Sequence, residues 1–343
     1  MKLCAILTFA LLIAITIPAV ATTHYVDVAG SGDYTEIKPA VNAAVEGDTI
    51  LIAPGTYTGA NNRNMDPNGK NLVIIGDSGG GPVIIDPEFE SRAFQYLDGE
   101  DATSLLRGVT IVNAAFEQNG GAIGVNASSP TIENCSFIDC EGYSNGGALT
   151  FYDSSSSITD CYFRGNSARF RAGAIYAHVS SLTITGCTFD ANWFREDPMS
   201  GGAIYLNDTP ATIENCTIVR NDIEQVSLYG PLTDATISNC IIAGGMAGRP
   251  VAVGANATGL VTHCVLYYHP DGNDPECGHT ENINLDPGFC NGGVDDYTLC
   301  NDSFALPENN MWMELIGAHD LGCGPCGSPV ETSSWGRVKA LYR

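Results

Sequence analysis

The sequence predicts an all-β fold, a parallel β-helix with three strands per coil and a short N-terminal capping helix. Three observations carry that expectation. Cys135, Cys161, Cys187, Cys216, Cys240 and Cys264 follow one another at intervals of 26, 26, 29, 24 and 24 residues. A second phrase keeps step with them: GGAI at Gly120, GGAL at Gly146, AGAI at Ala172 and GGAI at Gly201, each 15 residues ahead of a cysteine. The stretches between are short, rich in β-branched residues and bounded by Gly, Asn and Asp, as strands are. A fixed period in the twenties is the mark of a solenoid.

Residues 1–21 read as a secretory signal peptide: Lys2, an apolar run to Ile17, and Ala19-Val20-Ala21 before the cut. The run is too short for a membrane anchor, and no later stretch is long and apolar enough to span a bilayer. Residues 22–268 then form the solenoid. Ile37, Ala40, Val41, Ala44 and Val45 recur at helical spacing. The helix they predict covers the open end of the core, capped by Asp33 or Thr35, with Pro39 in its first turn and Gly47 ending it. Strands follow at TILIAPG, NLVIIGD, GPVIID and LLRGVTIVN.

Within the repeats, the residues before the six cysteines are Asn134, Asp160, Gly186, Asn215, Asn239 and His263. These types tolerate the left-handed backbone region, so a sharp one-residue corner is expected there. Each cysteine then takes the same place in its coil, ~4.8 Å from the next, whereas disulfide Cβ atoms lie ~3.5–4.5 Å apart. Most ladder cysteines are therefore expected to be reduced, buried and small apolar core residues rather than metal or redox groups.

Composition narrows the partners. The 343 residues hold 39 Asp and Glu against 15 Lys and Arg, a formal charge of −24. Nucleic acid is excluded, because phosphate contacts need a basic patch. A polyanionic glycan would be repelled over most of the surface unless a cation such as Ca²⁺ bridged the charges. Residues 269–326 change character: they are rich in turn residues, and Cys277, Cys290, Cys300, Cys323 and Cys326 are irregularly spaced. In an exported chain these cysteines are expected to form disulfides, with the pairing open. The CGPC at Cys323–Cys326 lacks a βαβ context and reads as structural, with a zinc site the minor alternative. Residues 327–343 form a linker and a basic, aromatic tail, either frayed or a sorting signal.

The opening GSGDYTEIKPAVNAAVEGDTILIAPGTYTG resembles the start of the pectin-lyase-like proteins, and the resemblance implies a right-handed β-helix. The GGAI phrases, paired with FIDC at Phe137–Cys140, FRGN, FDAN and IVRN, resemble the repeats of chlamydial polymorphic outer-membrane proteins. The first resemblance implies that the strand after the long turn, here GGAIYL and its equivalents, floors a substrate groove. Alternation sends Ile123, Leu149, Ile175 and Ile204 inward, with Val125, Phe151, Ala177 and Leu206. Gly124, Thr150, Tyr176 and Tyr205, with Asn126, Tyr152, His178 and Asn207, face outward.

An exposed patch of Tyr152, Tyr176, His178 and Tyr205, with Asn207, offers rings for sugar stacking and polar tips for hydroxyls. Tyrosines also suit exposed β surface in general. The turns leading into this strand carry Arg169, Phe170 and Arg171, and then Trp193, Phe194, Arg195, Glu196 and Asp197. Those arginines either recognise a carboxylate-bearing sugar or neutralise nearby acids. No methylesterase set of two aspartates and an arginine is evident. Asp295-Asp296 and Asp271 with Asp274, the hydrolase candidates, read as solvated turn residues. The expected protein is a secreted or surface-displayed monomer that binds a polysaccharide or another cell-surface ligand, with no cofactor assigned and Ca²⁺ the one candidate. The alternatives are a Ca²⁺-assisted polysaccharide lyase using His178 with Arg171 or Arg195, and a structural envelope stalk.

Overall fold

The computed structural model describes residues 21–196, 201–244, 249–267, 282–291 and 295–326. The leader, Asp197, Asp271, Asp274, Cys277 and the tail 327–343 lie outside these, apart from Ala21. The solenoid is built from three long parallel sheets. Sheet 1 has ten strands, from Thr23–Val26 to Thr258–Thr262. Sheet 2 has nine, from Gly55–Tyr57 to Val265–Tyr267. Sheet 3 has seven, from Phe94–Tyr96 to Val251–Val253. In the middle coils a fourth ladder of two-residue strands is added between sheets 2 and 3: Ala115–Phe116, Glu141–Gly142, Ser167–Ala168 and Trp193–Phe194. Pairing in the repeats keeps Ile132 beside Ile158 and Phe137 beside Phe163, and shifts register once, between Gly201 and Ile204, against the Glu224–Tyr229 strand.

Register stacks like side chains inside. Sheet 1 contributes Ile132, Ile158, Ile184, Ile213 and Ile237, all fully buried. Sheet 2 contributes Phe137, Phe163 and Phe189, whose rings stack at 4.9 and 4.7 Å. The inward residues expected for sheet 3, from Ile123 to Leu206, all lie in this core.

Each corner of the coil is closed by its own polar ladder, because backbone groups there leave the strand pattern and still need partners. The first ladder is the thiols. Cys161 Sγ lies 3.7 Å from the Ile132 carbonyl of the preceding coil, and the Cys161 amide donates to Cys187 Sγ at 3.4 Å. Cys216 and Cys240 repeat this arrangement towards Cys264. All six are free and buried, and burial pushes the thiols of Cys135 and Cys187 upward in pKa.

The second ladder is amides: the last residue of the FxxN phrases. Asn166 Nδ2 donates to Asn192 Oδ1 at 2.9 Å, and Asn192 Nδ2 donates to Asn221 Oδ1 at 2.8 Å. Cys140 replaces the asparagine in FIDC and becomes a seventh buried thiol in the coils. The third ladder is hydroxyls: the amide of Ser154 donates to Ser180 Oγ, that of Ser180 to Thr209 Oγ1, and that of Thr209 to Thr233 Oγ1.

Immediately before each ladder residue except Thr233 the chain takes a positive φ. The expected column holds, from Asn134 (49°) through Gly186 (64°) to His263 (55°). The other two corners do the same at Asp139, Ala191 and Arg220, and at Ala127, Asp153, Val179 and Asp208.

The helix spans Ile37–Ala43 and buries Ile37, Ala40 and Val41 over the end of the core. Its capping differs from expectation. Glu36 is the N-cap and gives no side-chain bond; Asn62 Oδ1 instead accepts from the Ile37 amide at 2.8 Å. Asp33 is drawn away to the Tyr25 amide, and the helix ends at Ala44 rather than Gly47. Among the described residues no helix is long and apolar enough to cross a membrane.

Beyond the last coil, Ile283 adds one more rung beside Val265. The chain then folds back along the outer face of sheet 2. Tyr297, Leu299, Ala305, Leu306 and Ile316 cover Val219, Ile241, Ala243 and Val265 there. The Ala318 amide donates to Thr217 Oγ1, and His319 Nε2 is 2.8 Å from Thr188 Oγ1.

Candidate functional site

The outer face of sheet 3 carries two columns, set by register. Gly124, Thr150, Tyr176, Tyr205 and Ser227 form one; Asn126, Tyr152, His178, Asn207 and Tyr229 form the other. Tyrosines on both columns make a diagonal band. Tyr152 meets Tyr176 at 5.8 Å, Tyr176 stacks on Tyr205 at 5.7 Å, and Tyr205 stacks on Tyr229 at 5.1 Å. His178 sits edge-on to Tyr152 at 6.1 Å, and its Nδ1 is 2.9 Å from Asn207 Nδ2.

The structure corrects the expectation of an exposed patch at two of its rings. Tyr176 and Tyr205 are each only 5% exposed, clustered with Ala172 and flanked by Tyr152 and Tyr229. Rings on successive coils cover one another's faces, and the incoming turn covers the rest: the Arg171 guanidinium lies 5.1 Å over the Tyr205 ring. Burial raises the pKa of Tyr176, against the pull of Arg171, and pushes Tyr152 up to about 12. The accessible rim is therefore Tyr152, His178, Asn207 and Tyr229, all half-buried. Tyr229 was missed in the sequence because its coil has lost the GGAI phrase; only the register places it.

The other two arginines are drawn into ion pairs. Arg169 Nε donates to Glu196 Oε2 at 2.9 Å, and Arg195 reaches Glu141 at 2.6 Å. Arg195 also lies over Trp193, which is 41% exposed on the fourth ladder. Arg171 is thus the one of the three placed on the tyrosine band.

A residue the sequence gave no signal for lies at the N-terminal end of the same face. Arg92 is buried flat on Phe116, 3.5 Å from the ring centre, and donates to the Asn119 carbonyl at 3.0 Å. Its guanidinium fills the space over Gly124, where a Cβ would stand 1.9 Å from Nη1. Burial without a carboxylate partner among the described residues lowers its pKa to about 10.

Asp295 is not a solvated turn residue. Its positive φ of 65° turns the carboxylate onto Arg164, at 2.5 Å, and Arg220. Arg220 also holds the fully buried Asp190 with Nε at 2.9 Å and Nη2 at 2.7 Å. Desolvation opposes the raised pKa of Arg220, and the two carboxylates outweigh it. This cluster fastens the C-terminal extension to sheet 2. Asp296 accepts from Thr298, within its own strand. Of the extension's cysteines, Cys290 and Cys323 are bonded, while Cys300 and Cys326 are free thiols. Among the described residues, the two groups of three or more metal-type donors close enough to share an ion both lie in this extension, away from sheet 3.

The sequence matches the family described as right handed beta helix region over residues 48–195 and 173–278, and the chain belongs to it. Among solved structures it is similar to a pectin methylesterase from carrot, at 15% identity and a TM-score of 0.43, over 82% of this chain and 92% of that one. It is also similar to the ORF18 protein of a Geobacillus virus, at 14% identity and a TM-score of 0.41, over 72% of this chain and 56% of that one. A rhamnogalacturonan lyase follows at 11% identity and a TM-score of 0.32, over 78% and 90%. No curated protein matches the sequence.

Proposed function

We propose that this is an exported or surface-displayed β-helix protein that binds a glycan along the outer face of sheet 3. The observation that carries the reading is the continuous band Tyr152–Tyr176–Tyr205–Tyr229 with the His178–Asn207 pair at its edge. Rings locked by stacking lose little freedom on binding, and sugars present apolar faces that match them. The half-buried Tyr152 and Tyr229 supply stacking surface, and His178 and Asn207 supply polar tips beside it. Arg171 and Trp193 flank the band, and Arg169 stands behind Glu196 as support for that wall. The leader at 1–21, the monomeric state, the division into a 22–268 solenoid and a 269–326 extension, and a sorting role for 327–343 belong to the same proposal.

The test is binding of the full chain to a panel of neutral and acidic polysaccharides, with and without Ca²⁺. Tyr152→Ala and Tyr229→Ala should each weaken binding about tenfold, which corresponds to ~1.4 kcal/mol. Full affinity in both variants would remove the tyrosine band from the account. A Ca²⁺-dependent rise in the ultraviolet absorbance of unsaturated sugar ends, lost in Arg171→Ala or His178→Ala, would replace binding by lyase activity. Binding to none of the panel would favour the envelope stalk.

A further inference from the structure

We infer that Cys300 and Cys326 form a second disulfide, so that the end of the extension is clamped by two parallel covalent bonds. Their Sγ atoms lie within 4.8 Å of each other, with Asp302 in the same group. The two segments that carry them are already tied side by side. The Asn301 amide donates to the Gly324 carbonyl at 3.2 Å, and the Cys326 amide donates to Asp302 Oδ1 at 2.9 Å. Cys300 also stands beside Cys323 in paired strands. Cys323 is already bonded to Cys290, which leaves Cys326 as the free sulfur next to Cys300 among the described residues. A gap of this size closes by rotation of the exposed Cys326 side chain, while the buried Cys300 stays in place.

The difference in exposure sets the order of the chemistry. The accessible Cys326, as thiolate, attacks a small disulfide oxidant such as oxidised glutathione and releases one equivalent of its thiol. The Cys300 thiolate then attacks the Cys326 sulfur of that mixed disulfide and releases the second thiol. The two protein thiols lose two protons and two electrons, and the oxidant's disulfide is reduced to two thiols. Cys323 and Cys326 would then both be anchored, to Cys290 and Cys300 respectively.

The test is a thiol count on the full chain after incubation with oxidised glutathione. The protein is alkylated in mildly acidic denaturant without reductant and weighed by mass spectrometry. Cys326→Ser removes one thiol. If the bond exists it also frees Cys300, so the variant takes up one more label than the parent; Cys300→Ser behaves the same way. One label fewer than the parent in both variants would overturn the inference. Stoichiometric zinc in the oxidised protein, lost in both variants, would also overturn it and assign the sulfurs to a metal.

Discussion

The coils and the extension use the same residue types to opposite ends. In the coils, the six ladder cysteines stay reduced because each is fixed at one position of a repeat and stacked at the spacing of β-strands, and Cys140 stands beside Asn166 rather than a second thiol. A sulfur there serves as a weak hydrogen-bonding group: Cys187 Sγ takes the Cys161 amide and lies 3.6 Å from the Ile158 carbonyl, both on the preceding coil. In the extension, irregular backbone lets Cys290 and Cys323 approach closely enough to bond. The contrast extends to charge. The coils bury amides and hydroxyls at their corners, whereas the extension is held by the buried Asp190, two arginines and Asp295. Repetition favours neutral groups that satisfy one another along a column; a single docking event can use charge, since its partners need to match only once.

The largest effect that would test this contrast is at the amide ladder. Asn192→Ala leaves the Asn166 amide and the Phe163 carbonyl without their side-chain partners inside the core. It should cost about 3 kcal/mol, since each buried polar group left unpaired costs ~1–3 kcal/mol. Urea denaturation should show the loss in a single cooperative transition. Asp295→Ala should cost less, about 1–2 kcal/mol, because the arginines it leaves are partly exposed. Here limited proteolysis should cut within residues 282–326 while the coils keep their melting temperature. Cleavage spread evenly over coils and extension would erase the distinction.

Acid should separate the two regions as well. Burial depresses the pKa of His319, so the unfolded chain takes up a proton more readily than the folded one. Stability from this docking is therefore present above the ordinary histidine pKa of about 6.5 and lost as pH falls through it. Proteolysis of the extension should increase between neutral pH and pH ~5, and His319→Gln should flatten that response. At the other end, Asp48 is held down to about 2 by the Val45 and Thr22 amides and by His24. Its contribution is complete above the ordinary carboxylate pKa of ~4 and disappears as pH approaches 2, so the coils should weaken only there.

The smallest predicted change is a gain. Val179 holds φ at 49°, a conformation that costs a β-branched residue ~1–2 kcal/mol. Val179→Asn should recover about 1 kcal/mol, read as a higher urea midpoint at unchanged slope.

Val179 also marks where sequence reading stopped. The thiol corner was legible because Asn, Asp, Gly and His precede its cysteines, and because cysteine is rare enough for its period to stand out. The amide and hydroxyl corners place Ala191, Arg220, Ala127 and Val179 in the same backbone state, where the coils above and below dictate a conformation the residue itself disfavours. Alternation named the core residues of sheet 3 correctly, yet could not say that outward rings on successive coils would bury one another. Nor could it show the extension turning back over sheet 2, since Tyr297, Leu299 and Ile316 carry no period and match Val219 and Ile241 only in space.

The three corner ladders have a genetic consequence. The three coils that carry Cys161, Cys187 and Cys216 offer the same thiol, amide and hydroxyl fittings to their neighbours, so they are interchangeable units. Excising residues 146–171 would bring the Ile123 strand against Ile175, and Cys135 against Cys187, with both ladders still in step. Gene duplication or deletion in frame with one coil can therefore lengthen or shorten this protein without redesigning any contact in its core. Such a change would cut the tyrosine band at Tyr152 and remove Arg164 from the cluster that holds the extension, because both depend on which coil stands next to which.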